Sequence, residues 1–201
     1  EAFIIGEDFI GSDNVVLILG DNIFYFPSLN QVVRSSIQDV GASIFAYHVS
    51  DPSRYGVAEL NPKNQVVSLE EKPKFPKSDY AITGLYFYDQ KVIEYAKSLT
   101  PSHRDELEIT DINKKYLENE NLFVEIMNQD HTWLDSGTHD SLLLSGQYIA
   151  SIQNQKGLKV ACLEEIAFKK KWIKKNDLKI LAKPLMKNQY GEYLKKIIDL
   201  I

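Results

Sequence analysis

The chain has 201 residues, of which 44% are hydrophobic and 25% are charged. This balance is typical of a folded globular protein and excludes the composition of a disordered chain. The net charge of -5 argues against nucleic-acid binding, because proteins that bind the phosphate backbone cluster lysine and arginine. The single cysteine, Cys162, excludes an internal disulfide, and no apolar run is long enough to span a bilayer. We therefore expect a reduced, cytoplasmic protein without a nucleic-acid or membrane partner.

The first part of the chain alternates strand and helix patterns. Residues 15–19 form a wholly apolar run, which indicates a strand that is covered on both faces. Ser28 and Gln31 predict a capping box, and apolar residues at helical spacing then continue to Val40. A second strand is expected over 42–49. This order predicts a βαβ unit, with a parallel strand pair and a right-handed crossover.

Further strand and helix patterns follow as far as residue 137. They are a hairpin around the turn at 61–64, a strand over 80–88, helices over 89–99 and 109–117, a strand over 122–127 and a turn at 133–137. Beyond residue 138 the patterns are helical. We predict an α/β body over 1–137 with a Rossmann-like, mixed and mostly parallel sheet flanked by helices. A helical C-terminal region over 138–201 is expected to pack on it.

Two aspartates lie where predicted strands end. Asp21 follows the first apolar strand, and Asp135 lies in the turn before a helix. Ligands bind at the carboxyl ends of the strands in open α/β sheets, and carboxylates there are suitable ligands for Mg²⁺. Two alternatives remain open from the pattern alone, because Asp21 also suits an ordinary turn and Asp135 also suits a helix N-cap.

Several polar residues of the loops are candidate phosphate or sugar ligands. Lys72 precedes Pro73, which favours an extended backbone at Lys72. From there the lysine could reach a phosphate, and the neighbouring Glu71 could accept sugar hydroxyls. Gly56 permits close approach of a ligand, and Arg104 is a second candidate phosphate ligand. The alternative for each of these residues is an ordinary charged or polar surface loop.

A series of segments, taken in order, closely resembles the bacterial glucose-1-phosphate thymidylyltransferases. The segments are Leu-Gly-Asp-Asn-Ile-Phe-Tyr at 19–25, Asp-Pro-Ser-Arg-Tyr-Gly-Val at 51–57, Ser-Leu-Glu-Glu-Lys-Pro at 68–73, Tyr-Ala-Ile-Thr-Gly-Leu-Tyr-Phe-Tyr at 80–88, Glu-Leu-Glu-Ile-Thr-Asp-Ile-Asn at 106–113 and Trp-Leu-Asp-Ser-Gly-Thr at 133–138. The resemblance extends over essentially the whole chain. Each motif alone is weak, but their common order and spacing are specific.

The resemblance implies a function and a set of site residues. It implies Mg²⁺-dependent transfer of a nucleotidyl group from dTTP to glucose-1-phosphate, giving dTDP-glucose and pyrophosphate for polysaccharide precursors, by a homotetramer. The implied roles are Mg²⁺ ligation by Asp21 and Asp135, a nucleotide contact from Asn22, sugar-phosphate binding by Lys72 and Arg104, and substrate contacts from Tyr55, Gly56, Glu71, Ile82, Gly84 and Thr110.

The chain departs from the resemblance at its start. The family begins with a glycine-rich, arginine-containing loop that holds the triphosphate, and no such loop occurs in this sequence. We therefore expect a fragment that does not catalyse nucleotidyl transfer alone. A uridylyl- or cytidylyltransferase remains an alternative, because the base-reading segment is also absent. A non-catalytic sugar-phosphate-binding regulator on the same fold is a third possibility, disfavoured by the presence of both Asp21 and Asp135.

Overall fold

The computed structural model describes residues 1–26, 29–102, 104–128 and 130–200. These residues form two compact units, Glu1–Gly137 (unit 1) and Thr138–Ile201 (unit 2). Ser28 lies outside the described residues, and so does the capping box predicted from it. None of the described helices combines the length and the apolar character that crossing a bilayer requires.

Unit 1 contains two sheets and several short helices. Its strands are β1 (Val15–Ile18), β2 (Asn22–Tyr25), β3 (Ala42–His48), β4 (Gly56–Leu60), β5 (Val66–Glu71), β6 (Tyr80–Tyr88), β7 (Leu122–Ile126) and β8 (Thr132–Asp135). Its helices are α1 (Ala2–Ile5), α2 (Glu7–Ile10), α3 (Leu29–Ser35), α4 (Val92–Lys97) and α5 (Ile109–Glu118), with a 3-10 turn over Pro52–Arg54. The larger sheet has the order β5-β4-β6-β3-β7, with β1 also paired to β6, and β2 pairs with β8 in a separate ribbon.

Strand β6 is the central strand of the larger sheet. It has nine residues, and all but the first are buried. Its side chains alternate between two apolar cores, with Tyr86 and Tyr88 in one and Leu85 and Phe87 in the other. Successive strand residues point to opposite faces, so a continuously apolar strand is the pattern of a sheet that is covered on both sides.

The α/β class predicted from the sequence is confirmed as a mixed sheet flanked by helices. The expectation of a mostly parallel sheet is wrong for the described residues, because β3 and β7 are parallel and the other four pairs are antiparallel. Strands β1 and β3 do run in the same direction, but β6 lies between them and pairs with both. The βαβ pattern is local and carries no signal for a strand that is inserted from later in the chain.

A gap in the pairing along one edge of β6 positions the candidate site. Strand β3 pairs with one edge of β6 at residues 80–82 and 86–88, with a register shift between the two stretches. On the other edge, β4 pairs at Ala81 and β1 pairs over residues 85–88. Residues 82–84 therefore have no strand partner on this edge. Leu19 and Asn22 are hydrogen-bonded to Gly84 in this gap, and Ile82 and Gly84 line the cavity next to it.

Three local predictions need correction. Helix α3 ends at Ser35, and Ile37 and Val40, predicted to continue it, are more than half exposed. The predicted turn at 133–137 begins within strand β8. Strand β2, whose four side chains are all partly buried, was not predicted. The predicted hairpin of β4 and β5 is confirmed, with antiparallel pairing on either side of the turn.

Unit 2 is helical. Its helices are α6 (His139–Lys156), α7 (Leu163–Lys169), α8 (Lys175–Ala182) and α9 (Gln189–Asp199), with a 3-10 turn over Lys183–Leu185. Thr138 is the N-cap of α6 and forms a capping box with Ser141. Asp135 is therefore not the N-cap of this helix. The core of unit 2 consists of Cys162, Leu178, Ala182 and Leu194.

Candidate active site

The ribbon of β2 and β8 brings the two candidate metal carboxylates together. Its strands are antiparallel, with Asn22 opposite Asp135. Asp21 directly precedes β2 and Asp135 is the last residue of β8, so both aspartates lie at the same end of the ribbon. From the sequence, both aspartates were expected at strand ends of one sheet. The two carboxylates are neighbours instead through a separate two-stranded sheet.

Hydrogen bonds join the backbone around the two aspartates. The N–H and the hydroxyl of Ser136 both donate to the carbonyl of Asp21, at 2.8 and 2.6 Å. A Cβ placed on Gly137 would lie 3.1 Å from Asp135 Oδ1 and 3.2 Å from Asp21 Oδ2. One point is therefore within contact distance of both carboxylates, which face the same small space.

These carboxylates line a cavity of about 210 Å³ next to the gap on β6. Of the predicted site residues, all except Arg104 line it, namely Asp21, Asn22, Tyr55, Gly56, Glu71, Lys72, Ile82, Gly84, Thr110 and Asp135. The other lining residues are Leu19, Arg54, Tyr86, Ile109 and Trp133. The fold thus gathers motifs that are far apart in the sequence into one site.

Lys72 lies at the cavity with an unusual backbone conformation. Its φ is +42°, and its N–H donates to the carbonyl of Tyr55 at 2.9 Å. The prediction of an extended backbone before Pro73 is therefore wrong. A left-handed conformation costs a residue with a side chain about 1–2 kcal/mol, so the surrounding contacts must stabilise it. Backbone strain of this kind concentrates at functional sites.

Glu71 is contacted from two sides. Its Oε2 accepts from the hydroxyl of Thr110 at 2.5 Å, and its Oε1 lies 3.6 Å from the guanidinium of Arg104. Arg104 also pairs with Glu106 at 2.7 Å and with Glu108 at 3.4 Å. Arg104 therefore does not line the cavity, and its guanidinium is paired instead with the carboxylates of Glu71, Glu106 and Glu108.

Three polar or aromatic residues of the cavity were not predicted as site residues. Arg54 Nη2 lies 4.0 Å from Asp135 Oδ2, and its guanidinium stacks over the ring of Tyr55 at 5.3 Å. Trp133 is buried and packs its ring against Tyr55 at 5.2 Å. Arg54 directly precedes Tyr55, and Trp133 lies two residues before Asp135. Their closeness to predicted site residues could have identified both from the sequence. Tyr86 is buried in β6, where the sequence pattern indicates only core.

The pKa of Tyr55 depends on burial and on the charged groups around its phenol. Burial raises the pKa of its phenol, the Arg54 guanidinium opposes this shift, and the Asp135 carboxylate adds to it. The phenol of Tyr55 therefore stays protonated at neutral pH beside the Asp135 carboxylate. Tyr55 thus presents a neutral hydroxyl at the cavity that Asp135 also lines.

Asp21 and Asp135 fit a small divalent cation. Carboxylate oxygens are hard ligands, and Mg²⁺ is commonly bound by one or two carboxylates together with waters and substrate phosphates. In the part of the chain that the structure describes, no group of three or more acidic, histidine or cysteine side chains could form a complete metal cage. Two carboxylates leave the other coordination positions of such a cation to water and to substrate phosphates.

A family model described as nucleotidyl transferase matches residues 1–151, which include every residue that lines the cavity. The chain belongs to the nucleotidyl transferase family. Its resemblance to bacterial glucose-1-phosphate thymidylyltransferases is confirmed by curated relatives with that name. The predicted class, a nucleotidyl-transferring enzyme, is confirmed by the same matches.

Three relatives illustrate how much of this nucleotidyl transferase chain is matched. The enzyme of Neisseria meningitidis serogroup A is 51% identical over 199 residues, which are 98% of this chain and 69% of the relative. The Mycolicibacterium smegmatis enzyme is 49% identical, covering 99% of this chain and 69% of the relative. The Xanthomonas campestris enzyme is 48% identical, covering 96% of this chain and 66% of the relative. The chain thus spans about two thirds of the length of these relatives.

Solved structures give the same fold. A Bacillus anthracis protein assigned as a glucose-1-phosphate thymidylyltransferase, in complex with sucrose, superimposes with a TM-score of 0.65 at 46% identity. The alignment covers 73% of this chain and 58% of that one. A UDP-glucose pyrophosphorylase in complex with UDP-glucose superimposes with a TM-score of 0.62 at 19% identity. The second likeness concerns the fold alone.

Proposed function

We propose that this chain carries the metal-binding and sugar-phosphate-binding residues of a glucose-1-phosphate thymidylyltransferase, which forms dTDP-glucose and pyrophosphate from dTTP and glucose-1-phosphate. The observation that carries the proposal is the cavity, which is lined by two facing carboxylates together with Lys72 and Glu71. The chain shares 51% and 49% sequence identity with two relatives that are named glucose-1-phosphate thymidylyltransferase, which supports the choice of substrates.

The reaction needs no protein nucleophile. A phosphate oxygen of glucose-1-phosphate attacks the α-phosphorus of dTTP, and the bond from that phosphorus to pyrophosphate breaks. Transfers of this type depend mainly on positioning and on neutralisation of charge. Bound by Asp21 and Asp135, Mg²⁺ would supply that neutralisation at the phosphates. Lys72 and Arg54 add two cationic side chains of the protein at the cavity.

The sugar side of the cavity contains complementary groups. The ammonium of Lys72 offers three donors to the sugar phosphate, and Glu71 offers acceptors to sugar hydroxyls. Thr110 and Arg104 hold the carboxylate of Glu71, and we propose that Arg104 serves the sugar through this contact. Gly56, Gly84 and Ile82 complete the wall with backbone and apolar surface, and Asn22 lies beside the nucleotide.

Pyrophosphate release from dTTP and glucose-1-phosphate tests the proposal. Because the chain spans about two thirds of its relatives, we would use a chimera in which its 201 residues replace the matched part of the Neisseria meningitidis enzyme. We expect turnover with Mg²⁺, lost on addition of EDTA. Asp21→Asn and Asp135→Asn should each lower kcat/KM by at least about a hundredfold, since they remove charge stabilisation from the transition state.

Glu118→Gln is the matched control, because it removes an exposed carboxylate of α5 that does not line the cavity. It should leave kcat/KM unchanged. Parallel assays with UTP and CTP decide the base, and preference for either of them would contradict the thymidylyl assignment. Full activity of both aspartate variants would show that the cation is bound elsewhere.

We also propose that the protein works as a homotetramer in the cytoplasm. Unit 2 exposes three consecutive leucines, Leu142, Leu143 and Leu144, and the ring of Trp172. Exposed apolar surface of this kind is typical of protein contacts. The free thiol of Cys162 is compatible with a reducing compartment. The mass of the chimera by light scattering tests the assembly.

A further inference from the structure

Two N–H donors determine the orientation of the side-chain amide of Asn22. The indole Nε1–H of Trp133 donates to Asn22 Oδ1 at 2.6 Å, and the backbone N–H of Gly84 donates to the same oxygen at 2.9 Å. Neither donor can accept a hydrogen bond. The reversed amide would place its NH₂ group against two N–H groups, so the structure permits one orientation.

The two donors are themselves fixed by packing. Trp133 is 8% exposed, and its ring contacts Tyr47 at 5.9 Å and Tyr55 at 5.2 Å, edge to face in each case. Gly84 lies in the central strand, and a Cβ on it would stand 2.6 Å from Asn22 Cγ. Asn22 is therefore enclosed between a rigid ring and the backbone of β6.

The orientation of this amide determines what Asp21 presents to the cavity. With Oδ1 of Asn22 directed at its two donors, Nδ2 donates to Asp21 Oδ1 at 2.9 Å. The other carboxylate oxygen, Oδ2, faces the space that Asp21 shares with Asp135. One oxygen of Asp21 is thus engaged by the protein, and the other remains directed at the proposed cation position.

We propose that Trp133 is a positioning residue, which holds Asp21 in its metal-binding orientation through the amide of Asn22. The inference rests on the proposed function, because the cation belongs to that proposal. Trp133 touches neither the cation nor the reacting atoms in this role. Its indole N–H aligns Asn22, and Asn22 aligns the carboxylate.

Loss of the indole N–H should act on the carboxylate. Asn22 Oδ1 would keep one donor, and the amide would gain freedom to rotate away from Asp21. Removal of the hydrogen-bond partners behind metal ligands typically weakens metal binding about 10- to 100-fold. We expect a loss of this size for Trp133→Phe, which keeps an aromatic ring, and for benzothienylalanine at position 133, which removes little but the N–H.

Nuclear magnetic resonance of the ¹⁵N-labelled 201-residue chain tests the hydrogen bonds without metal. The chain has two tryptophans, and Trp172→Phe assigns their indole signals. The indole proton of Trp133 should lie downfield and exchange slowly, and Asn22→Ala should abolish both properties. The side-chain amide signals of Asn22 should shift in both variants at position 133. Unchanged amide signals would overturn the proposal, whatever the cation does.

Mn²⁺ binding to the same chain tests the consequence. Free Mn²⁺, followed by electron paramagnetic resonance, should show binding about tenfold weaker or more in both variants at position 133, and unchanged binding in Trp172→Phe. Wild-type affinity in both position-133 variants would overturn the proposal. If the wild-type chain binds no Mn²⁺, or if Asp21→Asn binds it normally, the metal part of the proposed function is wrong. The amide signals then decide the positioning role alone.

Discussion

At the scale of single residues, Lys72 combines a strained backbone with an exposed cationic side chain. Its φ of +42° is a conformation that glycine adopts without steric cost. Stability alone would therefore favour glycine at this position, and the lysine is destabilising. Its side chain faces the cavity beside Glu71. The residue thus offers a direct test of whether charge at this position serves binding.

We expect Lys72→Gly and Lys72→Ala to differ in stability but to agree in function. The glycine variant of the 201-residue chain should have a free energy of unfolding about 1 kcal/mol higher than the alanine variant, because φ is positive there. In the chimera, both variants should raise the KM for glucose-1-phosphate about tenfold or more and change that for dTTP far less. Urea denaturation and initial-rate kinetics measure these effects.

Lys72→Arg is the charge-retaining control. The KM of this variant for glucose-1-phosphate should remain raised, because a planar guanidinium does not reproduce a compact ammonium. Equal losses for both substrates in Lys72→Ala would indicate a general role of the loop in folding. Equal stability of the glycine and alanine variants would show that the backbone is not strained at Lys72.

At the scale of elements, the site depends on how close the loop between β1 and β2 lies to β6. Leu19 N–H donates to the carbonyl of Gly84 at 2.9 Å, and Gly84 N–H donates to Asn22 Oδ1. These bonds fill the position on β6 that has no strand partner. The ribbon of β2 and β8 then begins directly beside the central strand, which explains why Asp21 and Asp135 lie at the cavity.

Gly84→Ala should disrupt the site, because the new Cβ would stand 2.6 Å from Asn22 Cγ. We expect at least a tenfold loss of kcat/KM in the chimera, together with altered side-chain amide signals of Asn22. Gly146→Ala is the matched control, since nothing lies within 4 Å of a Cβ there and alanine favours α6. It should keep activity and gain stability. Normal activity of Gly84→Ala would show that Asn22 has room to move.

The packing of β6 against α5 predicts sensitivity to alkaline pH. Tyr88 donates to Asn113 Oδ1 at 2.6 Å and Tyr116 donates to Asp89 Oδ1 at 2.7 Å. Burial raises the pKa of both phenols well above 10, and the Asp89 carboxylate raises that of Tyr116 further. Above pH about 10 the unfolded chain therefore loses protons that the folded chain keeps.

The free energy of unfolding should accordingly be independent of these two groups below pH about 10 and should fall above it. The fall should be about 1.4 kcal/mol per pH unit for each tyrosine. Urea denaturation between pH 8 and 11 measures it. Tyr116→Phe should lower stability at pH 8 but reduce the slope above pH 10. The same slope in wild type and variant would contradict the role of Tyr116.

At the scale of the whole molecule, the chain has two units, each with its own core. The cavity lies entirely in unit 1. The cationic residues that line the cavity are Arg54 and Lys72. Two cations and a two-carboxylate metal site are a small set for a triphosphate and a sugar phosphate together. About a third of the residues of these relatives lie outside the match.

We therefore expect the 201-residue chain alone to bind Mn²⁺ but to release little pyrophosphate, and the chimera to turn over. Correct positioning of reactants can lower an activation barrier by roughly 7–11 kcal/mol. Incomplete contacts to the triphosphate should therefore slow the reaction strongly. Both proteins are assayed with dTTP, glucose-1-phosphate and Mg²⁺. Comparable rates would show that the described residues suffice to hold the nucleotide.

Part of the candidate site was predictable from residue types in short motifs, whereas the family resemblance alone implied Asn22, Tyr55, Ile82, Gly84 and Thr110. Asp21, Lys72, Glu71 and Asp135 were identified from residue types, as was the α/β class from apolar runs and helical spacing. These sequence patterns are local, so they can be recognised without knowledge of the strand order. The roles proposed for these residues remain predictions until the variants are measured.

Only the tertiary structure decided which residues become neighbours. The insertion of β6 between β1 and β3, and the pairing of Asn22 with Asp135, depend on contacts between distant segments. Arg104 turned to three carboxylates rather than to the cavity for the same reason, since their positions are fixed by the fold and not by spacing in the chain. Pairing between strands that are far apart in the chain depends on packing over the whole unit, whereas the hairpin of β4 and β5 was predictable because its strands are neighbours in the sequence.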